Sequence, residues 1–343
     1  MLLDFNVNMT ASIEIEYKQW MFITQELYPY FHEICLLNTP DKKYRGFKIF
    51  THFLLVVNRD IHVPKYQWFP ILPKVNNVNA HLIKDFADAL VAKRLVLQSK
   101  SIEIVTDFLQ FIDISHSKYI DMKFDIEPEI KYDQIIKYGQ FQSFTFPNLA
   151  VLINRHPLCE VAKMLMRYES LGNGGYQWGD PLELHLAYRD NCGVRYEGFA
   201  SPINSRFLGL KNCQFCSLFP ETDEQFGSLG NFFDINLAEY PGGWSVNPPF
   251  VNVVLKDAAN KVISALESGT KSRFFCTYPL WKRSDGWELL ESSKYLVKSI
   301  HLPNGRLQQD AYGKLFTPPV GLSLFCLSYD CNEDFDKIEK IIE

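Results

Sequence analysis

The stretch Gly243-Trp-Ser-Val-Asn-Pro-Pro-Phe-Val-Asn-Val-Val-Leu-Lys-Asp-Ala-Ala-Asn-Lys-Val-Ile-Ser-Ala-Leu-Glu-Ser-Gly269 decides the fold. Its first four residues read as a short strand that runs into Asn247. Beyond the prolines, Val251, Val254, Ala258, Val262 and Ala265 recur at helical spacing on one face, and Gly269 supplies the stop signal. A strand that turns directly into an amphipathic helix is the repeating unit of an α/β sheet. The turn, Asn247-Pro248-Pro249-Phe250, is chemically pointed. Asn247 offers a side-chain carbonyl as acceptor. Both prolines lock φ, and Pro248 brings a carbonyl without an N–H. Phe250 offers a face on which a base can stack. Such a clamp can hold a planar amino group still. On its own the tetrapeptide reads equally well as a turn closing a buried strand.

The same alternation extends outward in both directions. Val194 to Ala200 reads as a strand entering a tight turn at Ser201-Pro202, with a short helix expected over 205–211. Cys213 to Phe219 reads as a second strand and Asn231 to Ile235 as a short third one. Downstream, strands are expected over 273–278, 296–302 and 321–328, and a helix over 285–294. Strands alternating with helices predict an α/β fold with a mostly parallel sheet and helices on both faces. Ligands in such sheets bind outside the carboxyl ends of strands. Asn247 sits at one such end and Glu197 to Pro202 at another.

Residues 1 to about 165 read differently, as a mainly helical N-terminal domain. In 80–97, Leu82, Phe86, Ala89 or Leu90, and Ala92 share a helical face; 17–36 and 103–114 are similar. Pro64, Pro70 and Pro73 make 60–76 an irregular connection. The charged run 119–140 has no clear assignment. A second domain over 166–343 follows. With 343 residues and 47% hydrophobic content, the chain has enough material for both cores.

The net charge of −5 excludes a generally basic nucleic-acid binder, so any such contact rests on a local patch. Residues 251–320 hold ten Lys or Arg against six Asp or Glu. A phosphate-facing patch of Lys282, Arg283, Lys294 or Arg306 fits this excess, and so does a plain solvated surface. The eight cysteines form no dense framework. Cys213 and Cys216 make a lone CxxC, a poor zinc site without a second pair. No metal is expected. No signal peptide and no run of 18 apolar residues is evident. The expectation is a soluble intracellular protein, nuclear or cytoplasmic, with reduced thiols and no membrane partner.

A methyl donor such as S-adenosylmethionine needs a tight first turn, polar groups at neighbouring strand ends, and an acceptor pocket facing the sulfonium. Glu197-Gly198-Phe199-Ala200-Ser201-Pro202-Ile203-Asn204 suits the first need, with Glu197 placed to receive an ammonium directly or through water. Asp223, Asp234 and the turn around Gly227 are candidates for the second. Asn247 to Phe250 suits the third, and Trp281 is either a further stacking surface or a core tryptophan. His185 and His301 lie nearest these elements and carry no catalytic assignment.

In order along the chain, Tyr196-Glu-Gly-Phe-Ala-Ser-Pro-Ile-Asn204, Phe215-Cys-Ser-Leu-Phe-Pro-Glu-Thr-Asp223, Phe226-Gly-Ser228 and Asn247-Pro-Pro-Phe250 closely resemble the phosphorylated-CTD-interacting-factor family. The resemblance covers roughly 160–330 and takes in Arg167-Tyr168 and Pro279-Leu280-Trp281. It implies a Rossmann-like, class I methyltransferase sheet with an added helical domain. The implied reaction is S-adenosylmethionine-dependent N6-methylation of the 2′-O-methyladenosine next to a 7-methylguanosine cap. By that resemblance Asn247, Pro248, Pro249 and Phe250 are catalytic. Glu197, Phe199, Ala200, Ser201, Pro202, Asn204, Asp223, Gly227 and Asp234 face the donor. Phe250, Trp281, Lys282 and Arg283 face the substrate, and the N-terminal domain is expected to contact the RNA or its cap.

Two departures stand out. No paired-tryptophan pattern of a WW domain is visible, so WW-mediated binding to the polymerase tail is not expected. Leu280 stands where the family has an acid. The expected partner is the capped 5′ end of mRNA. Adenine in DNA or uncapped RNA would suit the same clamp, as would a protein glutamine amide. A non-catalytic RNA-binding subunit is the reading from another functional class.

Overall fold

The computed structural model describes residues 13–34, 51, 53–54, 72, 78–92, 95–131, 135–171, 177–305, 307–310 and 312–329. In chain order these form a helical run over 13–34 (α1), Ala80–Ala92 (α2), Ser101–Ser115 (α3) and Ser117–Ile120 (α4). Glu129–Lys131 (β1), Ile135–Tyr138 (β2) and Phe141–Gln142 (β3) follow, then Leu149–Arg155 (α5), Leu158–Ser170 (α6) and Leu182–Cys192 (α7). Next come Val194–Ala200 (β4), Gln214–Ser217 (β5), Pro220–Asp223 (α8), Gly243–Val246 (β6), Asn252–Glu267 (α9) and Arg273–Pro279 (β7). Asp285–Glu291 (α10), Leu296–Leu302 (β8), Gln308–Gln309 (β9), Leu315–Phe316 (β10) and Leu322–Ser328 (β11) complete the set.

The chain divides into two compact units, one of Met1–Phe144 with His156–Gly174, the other of Thr145–Arg155 with Gly175–Glu343. In the first, Asn79 caps α2 by accepting the Leu82 N–H at 2.9 Å. Leu82, Phe86 and Leu90 are all buried, the spacing that the sequence predicts. Phe86 stacks on Phe53, 4.4 Å between ring centroids, and meets Phe108 of α3 edge-on. Arg167 on α6 donates to Glu16 on α1 at 2.9 Å, a buried pair whose members neutralise each other. The run 119–140 resolves into α4, an extended stretch and the β1–β2 pair; β3 then completes a three-stranded antiparallel sheet. Of the expected connection over 60–76, only Leu72 lies among the described residues.

The second unit is built on a six-stranded sheet of order β5-β4-β6-β7-β11-β8. β5, β4, β6 and β7 pair in parallel, whereas β11 runs antiparallel to both its neighbours, so β8 points the same way as β7. A single parallel bridge from Phe215 to Ser228 extends the sheet beyond β5. Successive side chains of β7 serve opposite faces. Phe274, Cys276 and Tyr278 join a core with Leu255, Ala258, Ala259 and Val262 of α9 and Trp287 of α10. Phe275 joins Leu184 and Tyr188 of α7 on the other face. Helices therefore cover both faces, as the strand–helix alternation implies.

Two expected elements do not form. Residues 205–211 are a chain of turns, because Gly209 takes φ 76° and Asn212 φ 58°, left-handed values that break a right-handed helix. Asn231 to Ile235 is a turn held by Asn231, whose Oδ1 accepts the Phe233 N–H at 3.0 Å and whose carbonyl accepts the Asp234 N–H. Its aromatic residues pack inward without a strand: the Phe232 ring lies 4.9 Å from that of Phe199.

Candidate active site

The connection leaving β4 goes to β5 on one side, and the chain returns to β6 on the other. The gap between the carboxyl ends of β4 and β6 is therefore the switch point where open α/β sheets hold ligands. The register pairs Glu197 with Ser245, so Asn247 leaves β6 level with Phe199. Glu197, Phe199, Ala200, Asn204 and Asn247 line one small cavity there, of about 20 Å³. Five residues expected from sequence are thus brought together, although they come from strands 50 residues apart.

Glu197 is buried with both carboxylate oxygens engaged. Oε2 accepts from the Ser205 hydroxyl and, at 3.3 Å, from the Phe207 N–H. Oε1 accepts the Arg206 N–H at 3.1 Å and lies 3.2 Å from His185 Nε2. Burial acts to raise the carboxyl pKa, but hydrogen bonds and charge from His185, with Ser205 and Arg206, outweigh it and hold the group below the ordinary range. The carboxylate fastens the loop after β4. Direct capture of an ammonium would require one of these bonds to yield.

The clamp looks different. Asn247 is half-buried, and no hydrogen bond engages its amide among the described residues. The Pro249 carbonyl is taken by the Val251 N–H at 2.7 Å, while the Pro248 carbonyl has no donor among the described residues. Asn247 Oδ1 thus remains unspent at the cavity; the adjacent Pro248 is buried and does not line it. Phe250 is half-buried and meets Trp281 edge-to-face, 6.2 Å between centroids. Trp281, Lys282 and Arg283 line a second, open cleft with Asn252, Leu280 and Ser284. Trp281 is 37% exposed, so it is not a core tryptophan. Lys282 and Arg283 are exposed. Lys294 lies over the Tyr295 ring at 5.0 Å, and Arg306 lies outside the described residues.

The remaining expected residues sit apart from the cavity lining. Ser201 is buried and donates to Gln177 at 2.8 Å, and the Pro202 carbonyl accepts from Asn148 at 3.1 Å. Asp223 is fully buried and accepts the Thr222 hydroxyl at 3.0 Å. Gly227 takes φ 97° in an exposed turn, and Asp234 is exposed.

Trp178, Gly179, Asp180, His185, Arg206 and Ser245 complete the cavity and were not anticipated as site residues. Trp178 is braced by Phe316, 4.6 Å between centroids, and Gly179 by a bridge to Gln309. Asp180 accepts from Gln308 at 2.9 Å and Thr277 at 3.2 Å. Arg206 donates to the Asp180 carbonyl at 3.1 Å, and burial lowers its pKa despite the nearby carboxylates. The local signal was Trp178-Gly-Asp-Pro181 just ahead of a helix, an aromatic and an acid in a turn. Among the described residues no group of three or more His, Cys, Asp or Glu could hold a metal ion. No helix there is long and apolar enough to cross a membrane. Cys213 and Cys216 are free, and burial pushes the Cys216 thiol well up.

Residues 153–310 match a family model described as the phosphorylated CTD interacting factor 1 WW domain. That segment, under half of the chain, is what is similar to the phosphorylated CTD interacting factor family. It holds all five mutually parallel strands, both clefts and the Asn247 clamp. Among curated proteins, the human mRNA (2′-O-methyladenosine-N(6)-)-methyltransferase is 32% identical over 149 residues, covering 41% of this chain and 20% of that protein. The mouse enzyme of the same name is 30% identical over the same length and shares. The chain thus spans about a fifth of the length of the curated relatives it matches.

Proposed function

We propose that the protein transfers a methyl group from S-adenosylmethionine to the exocyclic amine of adenosine, with the cap-adjacent 2′-O-methyladenosine of mRNA as its substrate. One observation carries the reading: Asn247 lines the cavity at the switch point with its Oδ1 unspent, and the next residue's carbonyl, Pro248 O, has no donor among the described residues either. An amine with two N–H groups is the complement of that pair. The names of the human and mouse relatives support the choice of adenosine and of the cap-adjacent position.

The strand order supports a class I sheet. Five strands point one way, and a reversed strand, β11, is inserted between β7 and β8. The residues around the cavity carry the mixed chemistry that a donor part flat and apolar, part charged, would need. Trp178, Phe199 and Ala200 offer apolar surface, and Asn204 and Arg206 offer polar groups. When bound, the donor supplies an electrophilic methyl on a sulfonium.

The chain supplies position and charge. The amine donates its two N–H bonds to Asn247 Oδ1 and Pro248 O, which points its lone pair toward the donor cavity. The same bonds strengthen as nitrogen gains positive charge. Pro248 and Pro249 hold the acceptors with φ fixed, and holding the amine in line with the donor can remove roughly 7–11 kcal/mol of barrier. Phe250 supports the base by stacking, and Trp281 stabilises Phe250 through its edge. Lys282 and Arg283, exposed in the open cleft, would meet the flanking phosphates. Incubating the protein with donor and capped RNA beginning in 2′-O-methyladenosine, then digesting to nucleosides for mass spectrometry, tests the reading. A methylated N6 on that nucleoside is expected. Equal yield on uncapped RNA or DNA would move the substrate to adenine at large, and no methylation of any of them would sink it.

A further inference from the structure

We infer that His185 is a positioning residue that locks the amine-holding Asn247 to the donor-side loop. The inference rests on the reading of Asn247 given above. His185 projects from α7 into the sheet and is 4% exposed. Its ring stands edge-on to Phe207, 5.5 Å between centroids and 81° between planes, so its rotation is restricted. Nε2 lies 3.2 Å from Glu197 Oε1 on β4 and 3.3 Å from Ser245 Oγ on β6. A carboxylate opposite Nε2 requires the proton on that nitrogen. One imidazole N–H therefore spans the two strands that separate at the switch point.

Each end of this bridge leads to the site. Glu197 also receives the Ser205 hydroxyl and the Arg206 and Phe207 N–H groups, so it carries the loop that supplies Asn204 and Arg206 to the cavity. Ser245 precedes Asn247 by two residues on the same strand. The route from loop to clamp is thus Ser205–Phe207, Glu197, His185, Ser245, Asn247. β4 and β6 otherwise meet only through a short register of Val194 with Gly243, Tyr196 with Trp244 and Glu197 with Ser245, which carries an irregularity. Beyond that last pair no ladder bond fixes Asn247 against the β4 loop, and His185 fills this need. It touches neither reacting atom, so its effect passes through placement of Asn247.

The test compares His185→Phe, which keeps a ring but has no N–H, with His185→Gln, whose amide can return an N–H near the position of Nε2. In His185→Phe, kcat should fall at least about tenfold, since a shift of about 1 Å in an aligned site can cost 10²-fold. KM for RNA and calorimetric affinity for S-adenosylhomocysteine should hold within about threefold, with a stoichiometry still near one site per chain, which separates misplacement from loss of folded protein. His185→Gln should recover most of the rate. Amide hydrogen exchange should quicken at 205–207 and 245–247 in His185→Phe, whether or not any RNA is methylated. Unchanged exchange there overturns the lock. A wild-type kcat in His185→Phe, or a loss of donor-product affinity that parallels the loss of rate, overturns the positioning role. If the wild-type protein methylates nothing while exchange still quickens, the proposed reaction fails and the lock stands.

Discussion

Replacing Asn247 with Ala separates chemistry from folding. The side chain is half-buried, lines the cavity and has no hydrogen-bond partner among the described residues, so its removal strands no protein group. The stability change should stay within about 0.5 kcal/mol. In the reaction the same carbonyl accepts from an amine that is gaining charge. Removing one preorganised partner of this kind costs about 2.7–4 kcal/mol, or roughly 10²–10³ in kcat. The loss is not total, because the Pro248 carbonyl remains. Asn247→Asp keeps an acceptor at the same place and should retain more activity than Asn247→Ala. The assay is transfer of a labelled methyl to capped oligonucleotide, run beside thermal denaturation and calorimetry with S-adenosylhomocysteine. Donor-product affinity should hold within a few-fold. A wild-type rate in Asn247→Ala would refute the clamp, and Asp falling below Ala would refute the acceptor role.

Gly198→Ala should destabilise by about 1–3 kcal/mol, since its Cβ would stand 2.9 Å from the Phe232 ring, itself buried against Phe199 and Trp244; chemical denaturation measures this, and an unchanged midpoint would mean that the ring has room to move. Reversing Lys282 and Arg283 to Glu should raise KM for RNA and flatten the dependence of log affinity on log salt by about 0.7 per lost phosphate contact; an unchanged slope would leave the cleft without a phosphate. Glu197 has a folded pKa below its ordinary 4.5, so its contribution to stability is complete above that value and lost as pH falls through the folded pKa. Glu197→Gln should therefore melt lower than wild type at neutral pH, with the gap closing as pH drops below about 4; a gap independent of pH would mean that the carboxylate charge does not hold the loop.

The strand–turn–helix of 243–269 was legible because its determinants are local: helical spacing of apolar residues, a glycine stop and two prolines that no continuous strand or helix accommodates. The same holds for β7 and β11, whose apolar runs are long enough to report burial. Residues 205–211 read as a helix, but Gly209 and Asn212 take left-handed φ values of 76° and 58°, which end a helical path within one turn. Residues 231–235 misled because aromatics imitate a strand wherever they are buried, and here they pack as a turn.

By itself the sequence determined the α/β class, the position of the Asn247–Phe250 tetrapeptide and the family resemblance, since each rests on short runs of adjacent residues. Tertiary structure decided which residues share the cavity. Trp178, Asp180, His185 and Arg206 carry no motif, and they reach Asn247 only because β4 and β6 lie side by side. It also decided the state of each polar group. Glu197 and Asn247 look alike as candidates in one dimension, yet a buried carboxylate must be satisfied by its own chain, whereas a half-buried amide at a strand end can keep its acceptor for a ligand.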